Sequence, residues 1–477
     1  MSLLTVFLIV IHILGALSAL NALMNTRTSQ GTVAWIICLL TIPYVALPAY
    51  WIFGRSHFHG YVKKRRAIGE SHDTQIEELR QHLLSWRTED LERNQPRWRL
   101  LENLAELPFF RGNSVSLLVD GVATFESILG GIQGAKDSVH VQFYIVRDDG
   151  LGRRLQKALI QAAERGVRVH FIFDEIGSAG LPNLYLEQLR EAGVFLTSFH
   201  STRGPRNRFQ LNFRNHRKIV VVDRQEAWLG GHNVGDEYLG LDPKFGAWRD
   251  THMKLTGPAV TSLLVSFAED WLWATDQKLQ AKDWTPALPA KEAPGDANVL
   301  ILPTGPADRL ETASLMYQQA IQSARRRIWI TSPYFVPDQA VLHTLHLAAL
   351  SGVDVRIVIP DRADSPLVYY SAFQYIEELM ASGVKFYRYL PGFLHEKVFL
   401  LDDQTAGVGT ANFDNRSFRL NFEVTAIVVD ADFAQQVEEM LLSDFAHSHL
   451  MTSTEVEARS HWSRLATRAS YLIAPIQ

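Results

Sequence analysis

Two stretches of the sequence carry the same reactive side chains at the same spacing. N-H-R-K-I-V-V-V-D supplies His216, Lys218 and Asp223, and six residues later comes G-G-H-N, Gly230 to Asn233. L-H-E-K-V-F-L-L-D supplies His395, Lys397 and Asp402, and again six residues separate it from G-T-A-N, Gly409 to Asn412. With 17 histidines and 12 lysines in 477 residues, random order gives roughly 0.02 matches to H-x-K-x4-D, counted as a template. Two matches with the same tail are not an accident of composition.

The spacing has a geometric reading. The segments Ile219–Asp223 and Val398–Asp402 are apolar and β-branched, as strands are, and residues two apart in a strand share a face. His216 and Lys218 therefore point one way, as do His395 and Lys397. Each aspartate lies five positions beyond its lysine, on the other face, so Asp223 and Asp402 read as supporting residues. The glycines allow the next strand to come close, which brings Asn233 and Asn412 beside the lysines. If the two copies meet face to face, one pocket holds two His, two Lys and two Asn. That set suits phosphoryl chemistry. Lysines and amides stabilise non-bridging oxygens, one imidazole attacks phosphorus, and the other moves the proton of the leaving and entering alcohols. Two lysines beside the histidines would repel a cation, so no metal is expected.

The motifs sit in a repeated α/β pattern. Val115–Val119, Val139–Val146 and Val167–Asp174 read as strands, and Gly152–Arg165 as a helix closed by Gly166. AAERGVRVHFIFD around Gly166 is answered by AALSGVDVRIVIPD around Gly352, and His140–Val146 by Ile328–Pro337. The sequence divides into a two-helix membrane anchor (1–54), a basic and helical cytoplasmic connector (55–108), a first lobe (109–281), a Pro/Ala-rich linker (282–297), a second lobe (298–450) and a tail (451–477).

Leu3–Leu23 and Thr32–Phe53 are apolar runs long enough to span a bilayer, the second kinked at Pro43 and Pro48. The loop between them carries only Arg27. Arg55, Lys63, Lys64, Arg65 and Arg66 follow the second run, so a hairpin with both termini in the cytoplasm is expected. The basic cluster also suits an anionic membrane surface. The single cysteine, Cys38, excludes internal disulfides and Cys-rich metal sites. A net charge of −4 argues against a nucleic-acid-coating protein. Arginine outnumbers lysine 35 to 12, a mild pointer to anionic ligands.

These motifs resemble those of the phospholipase D (HKD) superfamily, and the order of spans, two motifs and tail resembles its bacterial cardiolipin synthases. L-N-F-R-N-H-R-K at Leu211–Lys218, W-R-D-T-H at Trp248–His252, R-S-F-R-L-N-F-E at Arg416–Glu423 and the stretch Ser463–Ile476 carry the resemblance. It implies a mixed α/β bilobal fold, each lobe a β-sheet flanked by helices, with the site at the lobe interface. It implies catalysis by His216, Lys218, Asp223, His395, Lys397 and Asp402, with Lys218, Lys397, Asn233 and Asn412 on the phosphate and no cofactor. Asp250 and Glu423 occupy the places of the family's acidic partners for the histidines. The implied reaction is ping-pong transfer of a phosphatidyl group between phosphatidylglycerol molecules, giving cardiolipin and glycerol through a phosphatidyl-histidine. His216 is preferred as nucleophile over His395, a choice the symmetry of the motifs leaves open. Hydrolysis, or another HKD phosphodiesterase activity, is the rival.

Lesser features have two readings each. Arg203, Arg206, Arg208, Arg214 and Arg217, interleaved with Phe209, Leu211 and Phe213, suit a membrane or headgroup contact or a solvated basic loop. Tyr144 and Tyr334 stand at equivalent strand ends, as pocket lining or as packing. His232, Trp271 and Trp273 read as structural.

Overall fold

The computed structural model describes residues 2–26, 28–54, 58, 60–62, 83–88, 96–199, 212–280, 295–362 and 364–477. The first lobe contributes β1 (Phe110–Val119), β2 (Ser138–Phe143), β3 (Arg168–Asp174), β4 (Phe195–Phe199), β5 (Arg214–Asn215), β6 (Ile219–Val222), β7 (Glu226–Gly230), β8 (Trp248–Arg249) and β9 (Thr251–Thr256). The second contributes β10 (Ala297–Thr304), β11 (Arg327–Thr331), β12 (Phe335–Val336), β13 (Asp354–Pro360), β14 (Lys385–Tyr389), β15 (Phe393–Leu394), β16 (Val398–Leu401), β17 (Thr405–Gly409), β18 (Phe413–Asp414), β19 (Asn421–Val429) and β20 (Ser448–Leu450).

The two lobes repeat one strand order. From the centre outward, β1-β9-β7-β6-β2-β3-β4 is answered by β10-β19-β17-β16-β11-β13-β14, with β20 added at the far edge. Antiparallel pairing of β1 with β10, Phe110 opposite Val299 and Asn113 opposite Ala297, fuses both into one continuous sheet. The outer strands β2-β3-β4 and β11-β13-β14 are parallel, so helices must cross between them. The helix Gly150–Glu164 starts where the Asp149 carboxylate accepts the Gly152 N–H at 3.0 Å. It ends before Gly166, whose φ of +86° suits a residue without Cβ. Its counterpart Gln339–Leu350 is capped in the same way by Asp338 on the Val341 N–H at 2.9 Å. The duplication thus extends to the caps. One core cluster crosses the seam, joining Val221, Leu229 and Met253 to Leu400, Val424 and Val437.

The N-terminal region forms α1 (Leu3–Asn25), α2 (Ser29–Thr41) and α3 (Pro43–Phe53). Only α1 is by itself long and apolar enough to cross a membrane, among the described residues. The second apolar run is broken in two at Ile42, whose φ of −132° and ψ of 55° leave the helical region because the following proline disfavours it there. All three helices pack together through small residues. A Cβ on Gly15 would fall 2.4 Å from the Leu39 carbonyl oxygen, and Ser18, Ala19 and Ala22 continue the buried stripe. Tyr50 donates to Asn21 Oδ1 at 2.8 Å and Trp51 Nε1 to Ser18 Oγ at 3.2 Å. Outward-facing Leu, Ile, Val and Phe side chains cover the hairpin, an exposed apolar surface of the kind that marks a membrane or partner contact.

In the connector, Pro96–Ala105 is helical and buries Trp98, Leu101 and Ala105 in the core of the second lobe. The basic residues Arg55 and Lys63 to Arg66, residues 281–294 of the linker region, and Arg203, Arg206, Arg208, Phe209 and Leu211 lie outside the described residues.

Candidate active site

Two short parallel pairings build the site across the lobes. β5 lies against the start of β19, Asn215 opposite Phe422, and the His216 N–H donates to Phe422 O at 2.9 Å. The next residue on β19 is Glu423, and His216 Nδ1 lies 2.9 Å from both of its carboxylate oxygens. β15 lies against β8, Leu394 opposite Arg249, and the His395 N–H donates to Arg249 O at 2.7 Å. Asp250 follows, with Oδ2 at 2.7 Å from His395 Nδ1. The partners are crossed: each histidine is held by an acid from the other lobe. An ionised carboxylate only accepts, so Nδ1 carries the proton in both rings and Nε2 is left for chemistry.

The surrounding residues fix these acids. Glu423 accepts from Thr410 Oγ1 at 2.6 Å, Ser417 Oγ at 2.9 Å and Asn421 Nδ2 at 3.1 Å. Asp250 accepts from the Thr251 N–H at 2.8 Å. The glycine tails make room. A Cβ on Gly231 would lie 1.9 Å from Asp250 Oδ1, and one on Gly409 would lie 2.6 Å from Thr425 Oγ1.

Lys218 Nζ donates to His216 O at 2.7 Å, and Lys397 Nζ to His395 O. Lys397 Nζ is also 2.7 Å from His395 Nδ1, but that nitrogen's proton goes to the carboxylate. Burial pulls His216 down to about 4 against the opposing pull of Glu423, and Lys218 lowers it further. Burial, then Lys397, brings His395 to about 3. Burial also lowers Lys218 well below an ordinary lysine, and Lys397 to about 8 despite Asp250. Burial pushes both acids up, but Lys397 together with His232 and His395 holds Asp250 well below its usual range, and His216 holds Glu423 below its own. Lys397 acts on His216, and Lys218 on His395, so the two motifs share one site.

Asn233 and Asn412 differ. Asn233 accepts the Ile145 N–H at 3.1 Å and donates to Tyr238 Oη at 3.0 Å. Asn412 Oδ1 is buried with no partner among the described residues. Asp223 and Asp402 lie at the far ends of β6 and β16, away from the lysines. The Asp223 carboxylate accepts the N–H groups of Lys136, Asp137 and Ser138 between 2.7 and 3.2 Å. Asp402 accepts those of Arg325, Arg326 and Arg327 between 2.9 and 3.2 Å. Both aspartates have φ near +50°, which Asp tolerates in a turn. They clamp each β-hairpin to the strand beside it and do not reach the pocket.

Aromatic rings flank both histidines. Tyr144 stands 5.0 Å from His216 ring to ring, and Trp248 5.1 Å from His395. Tyr238, which holds Asn233, is 6.5 Å from the His395 ring. Tyr334 instead donates to Asp364 at 2.5 Å. The middle residues of the H-x-K triplets point away from the pocket and are buried with opposite charges. Arg217 pairs with Asp270 at 3.0 Å, so it belongs to no solvated loop or membrane contact. Glu396 lies 3.3 Å from Arg249, which also binds Asp444 at 2.8 Å. Burial raises Glu396 to about 8 against the pull of Arg249, and Asp444 raises it further. Phe58 and Tyr61, just past the hairpin, enter an aromatic cluster with Phe199, Phe213, Trp273 and Phe422. Tyr61 donates to Asp270 at 2.6 Å. Asp270 also accepts from Asn215, Arg217 and Gln142 between 2.7 and 3.0 Å. His232 is buried 3.2 Å from His252, Nδ1 to Nδ1, and Trp271 and Trp273 are core residues.

A family model described as cardiolipin synthase, PLD-like domain, matches residues 128–255 and 317–445, one copy in each lobe. Cardiolipin synthase A of Pseudomonas putida is 46% identical over 472 residues, 98% of this chain and 96% of that protein. That of Pseudomonas entomophila is 45% identical over 473 residues, 98% of this chain and 97% of that protein. The chain belongs to the cardiolipin synthase family. It is a phosphatidyltransferase of that family, with the duplicated phospholipase D-like fold and an apolar N-terminal helix that associates it with membranes. Among solved structures, a phosphatidylserine synthase from Haemophilus influenzae Rd KW20 shares the fold at a TM-score of 0.61 and 17% identity. It covers 80% of this cardiolipin synthase family chain and 100% of its own.

Proposed function

We propose that this enzyme makes cardiolipin by transferring a phosphatidyl group from one phosphatidylglycerol to another, with His216 as nucleophile and His395 as acid and base. The observation that carries the reading is the crossed pair of histidine–carboxylate contacts, which presents two Nε2 atoms beside two buried lysines. His216 Nε2 attacks phosphorus while the bond to the glycerol oxygen breaks, and His395 Nε2–H gives that oxygen its proton. A hydroxyl of a second phosphatidylglycerol then gives its proton to His395, attacks phosphorus and releases His216. Lys218, Lys397, Asn233 and Asn412 serve the non-bridging oxygens, and Asp223 and Asp402 hold the strands.

Permanence favours His216 as the nucleophile. A phosphorylated imidazole stays cationic until the second alcohol arrives, and Glu423 on His216 is held still by three side-chain donors. His395 must instead gain and lose a proton in each half-reaction. Both rings are lowered by burial, and the negative charge of a bound phosphodiester raises them again, so His395 takes its proton when substrate enters.

In this reading residues 1–54 anchor the chain as a two-pass hairpin, its second pass formed by α2 and α3 together. The charge after the hairpin keeps the lobes, 109–281 and 298–450, on the cytoplasmic side of the bacterial inner membrane, and anionic phospholipids are the partners. Incubation with phosphatidylglycerol vesicles, without added metal, should yield cardiolipin and glycerol in equal amounts. Phosphatidic acid in place of cardiolipin would make the enzyme a hydrolase. A phosphohistidine trapped on His395 would reverse the roles of the two rings.

A further inference from the structure

The C-terminal helix His461–Tyr471 carries an apolar face that the lobes leave uncovered. Thr467 and Ser470 bury one side of it. Trp462 is 80% exposed, Leu465 59% and Leu472, just past the helix, 80%. At 100° per residue these three fall on a single arc. Arg464 and Arg468 line one border of that arc, so the helix is apolar on one stripe, cationic beside it, and packed on the protein behind.

Its place in the fold says what covers that stripe. The chain end closes on the short helix Asn415–Arg419, where the Arg416 N–H donates to Gln477 O at 2.6 Å. From the same short helix, Ser417 bonds the site acid Glu423 at 2.9 Å, and Arg419 pairs with Glu311 at 3.1 Å. Glu311 ends the loop whose Pro306 O accepts the Phe58 N–H at 3.1 Å, the point where the chain leaving the membrane hairpin docks on the lobes. The segment that follows the exposed stripe, the anchor's entry and the site acid therefore meet around one short helix, while the stripe's own helix packs on Pro366–Met380 through Tyr471 and Tyr375, 5.5 Å apart ring to ring. Leu310, in that loop, is itself 58% exposed.

We propose that the C-terminal helix is a second membrane attachment, its Trp462–Leu465–Leu472 stripe lying in the interface of the bilayer that holds the hairpin. The inference rests on membrane anchorage and not on which lipid reaction the site performs. A stripe of this composition suits the level of the headgroups, where Trp and Leu enter the acyl boundary and arginines meet anionic phosphate. With the hairpin and this helix both in the bilayer, the lobes are held against the lipid surface at two points.

The test uses the full chain with Cys38→Ser and a single cysteine introduced by Leu465→Cys or Leu472→Cys, labelled with a polarity-sensitive fluorophore. The protein is reconstituted in vesicles of phosphatidylglycerol and phosphatidylethanolamine, and Leu184→Cys, on the outer edge of the first lobe, is the control. The expected result is a blue-shifted emission at 465 and 472, quenched by headgroup-level nitroxide lipids, with the 184 label remaining as in water. Emission at 465 and 472 matching the 184 control would overturn the proposal. So would a blue shift that nitroxide lipids leave unquenched and that fades on dilution in the bilayer, because a second copy would then cover the stripe. Product formation in the same vesicles reads the catalytic assignment separately: a buried label without cardiolipin defeats the reaction, and cardiolipin with a water-exposed label defeats this attachment. In a second arm, Leu465→Asp combined with Leu472→Asp should lower turnover of vesicle lipid about tenfold or more, as loss of an interfacial apolar face implies. The same variant should leave turnover of a dispersed short-chain phosphatidylglycerol unchanged, and an equal loss on both substrates would count against the proposal.

Discussion

At the residue scale the site depends on two carboxylates that titrate nothing themselves. Asp250 and Glu423 keep Nδ1 protonated, which in the proposed mechanism decides which ring nitrogen faces phosphorus. Asp250→Asn can present an amide N–H to Nδ1 and stabilise the wrong tautomer, and the loss in kcat should be about 10³-fold or more, as for the orienting acid of a triad. Circular dichroism should show the fold intact. The same variant has a pH signature. Asp250 raises the pKa of Lys397, which stands at about 8, and a lysine that loses its proton no longer neutralises phosphate. The kcat/KM of the parent enzyme, which reads the site before substrate binds, should therefore fall above pH 8, and in Asp250→Asn this alkaline limb should move to lower pH. A limb that stays in place would mean that Lys397 does not control it. The reacting types were legible in the sequence because strand parity sets His and Lys on one face. The crossing of the acids was not, because it depends on β5–β19 and β8–β15, pairings of two residues each that join distant parts of the chain.

At the element scale the H-x-K strands are held from behind by charges that a motif search passes over. Arg217 and Glu396 share the same motif position and point away from the pocket, one into Asp270 and Tyr61, the other into Arg249 and Asp444. One guanidinium faces two buried carboxyls there, so Glu396 retains a proton near neutrality. Burial beside Asp444 raises the folded carboxyl to about 8, whereas the unfolded one titrates at about 4.3. Between those values the folded state binds more protons, and stability falls as pH rises. Glu396→Gln should flatten that fall, measured as the difference in Tm between pH 5 and pH 8. On the other side, Phe58 and Tyr61 wedge the chain leaving the hairpin behind the first motif. Phe58→Ala should cost about 3–5 kcal/mol, as for a buried phenylalanine elsewhere, read from denaturant unfolding. Tyr61→Phe should keep the packing and cost about 1–3 kcal/mol, the penalty for a buried acceptor losing its donor. The strand and helix pattern was legible from periodicity and glycine caps. The wedge was not, since an aromatic pair in a polar segment carries no periodic signal.

At the scale of the whole molecule the duplication makes one body of two repeats. The lobes share a sheet through β1 and β10, a core cluster that crosses the seam, and an active site in which each supplies the other's acid. Separate lobes would expose β1 and β10 as open edges, which invite pairing with other chains, and would leave His216 without Glu423 and His395 without Asp250. Continuity of the chain between the lobes is not what holds them, so a protease site placed between 284 and 292 provides the test. After cleavage of the folded protein the two fragments should elute together on size exclusion in detergent and retain the parent turnover of phosphatidylglycerol, because every contact named at the seam is non-covalent and stays in place. Unfolding both fragments in denaturant and refolding them apart should give two inactive pieces, and mixing before refolding should restore activity. A first-lobe fragment carrying His216→Ala mixed with a second-lobe fragment carrying His395→Ala should remain inactive in every proportion, since a crossed site needs one intact histidine from each side. Turnover by either fragment alone would mean that a single lobe, or two copies of it, can assemble the two imidazoles without the partner that the fold provides.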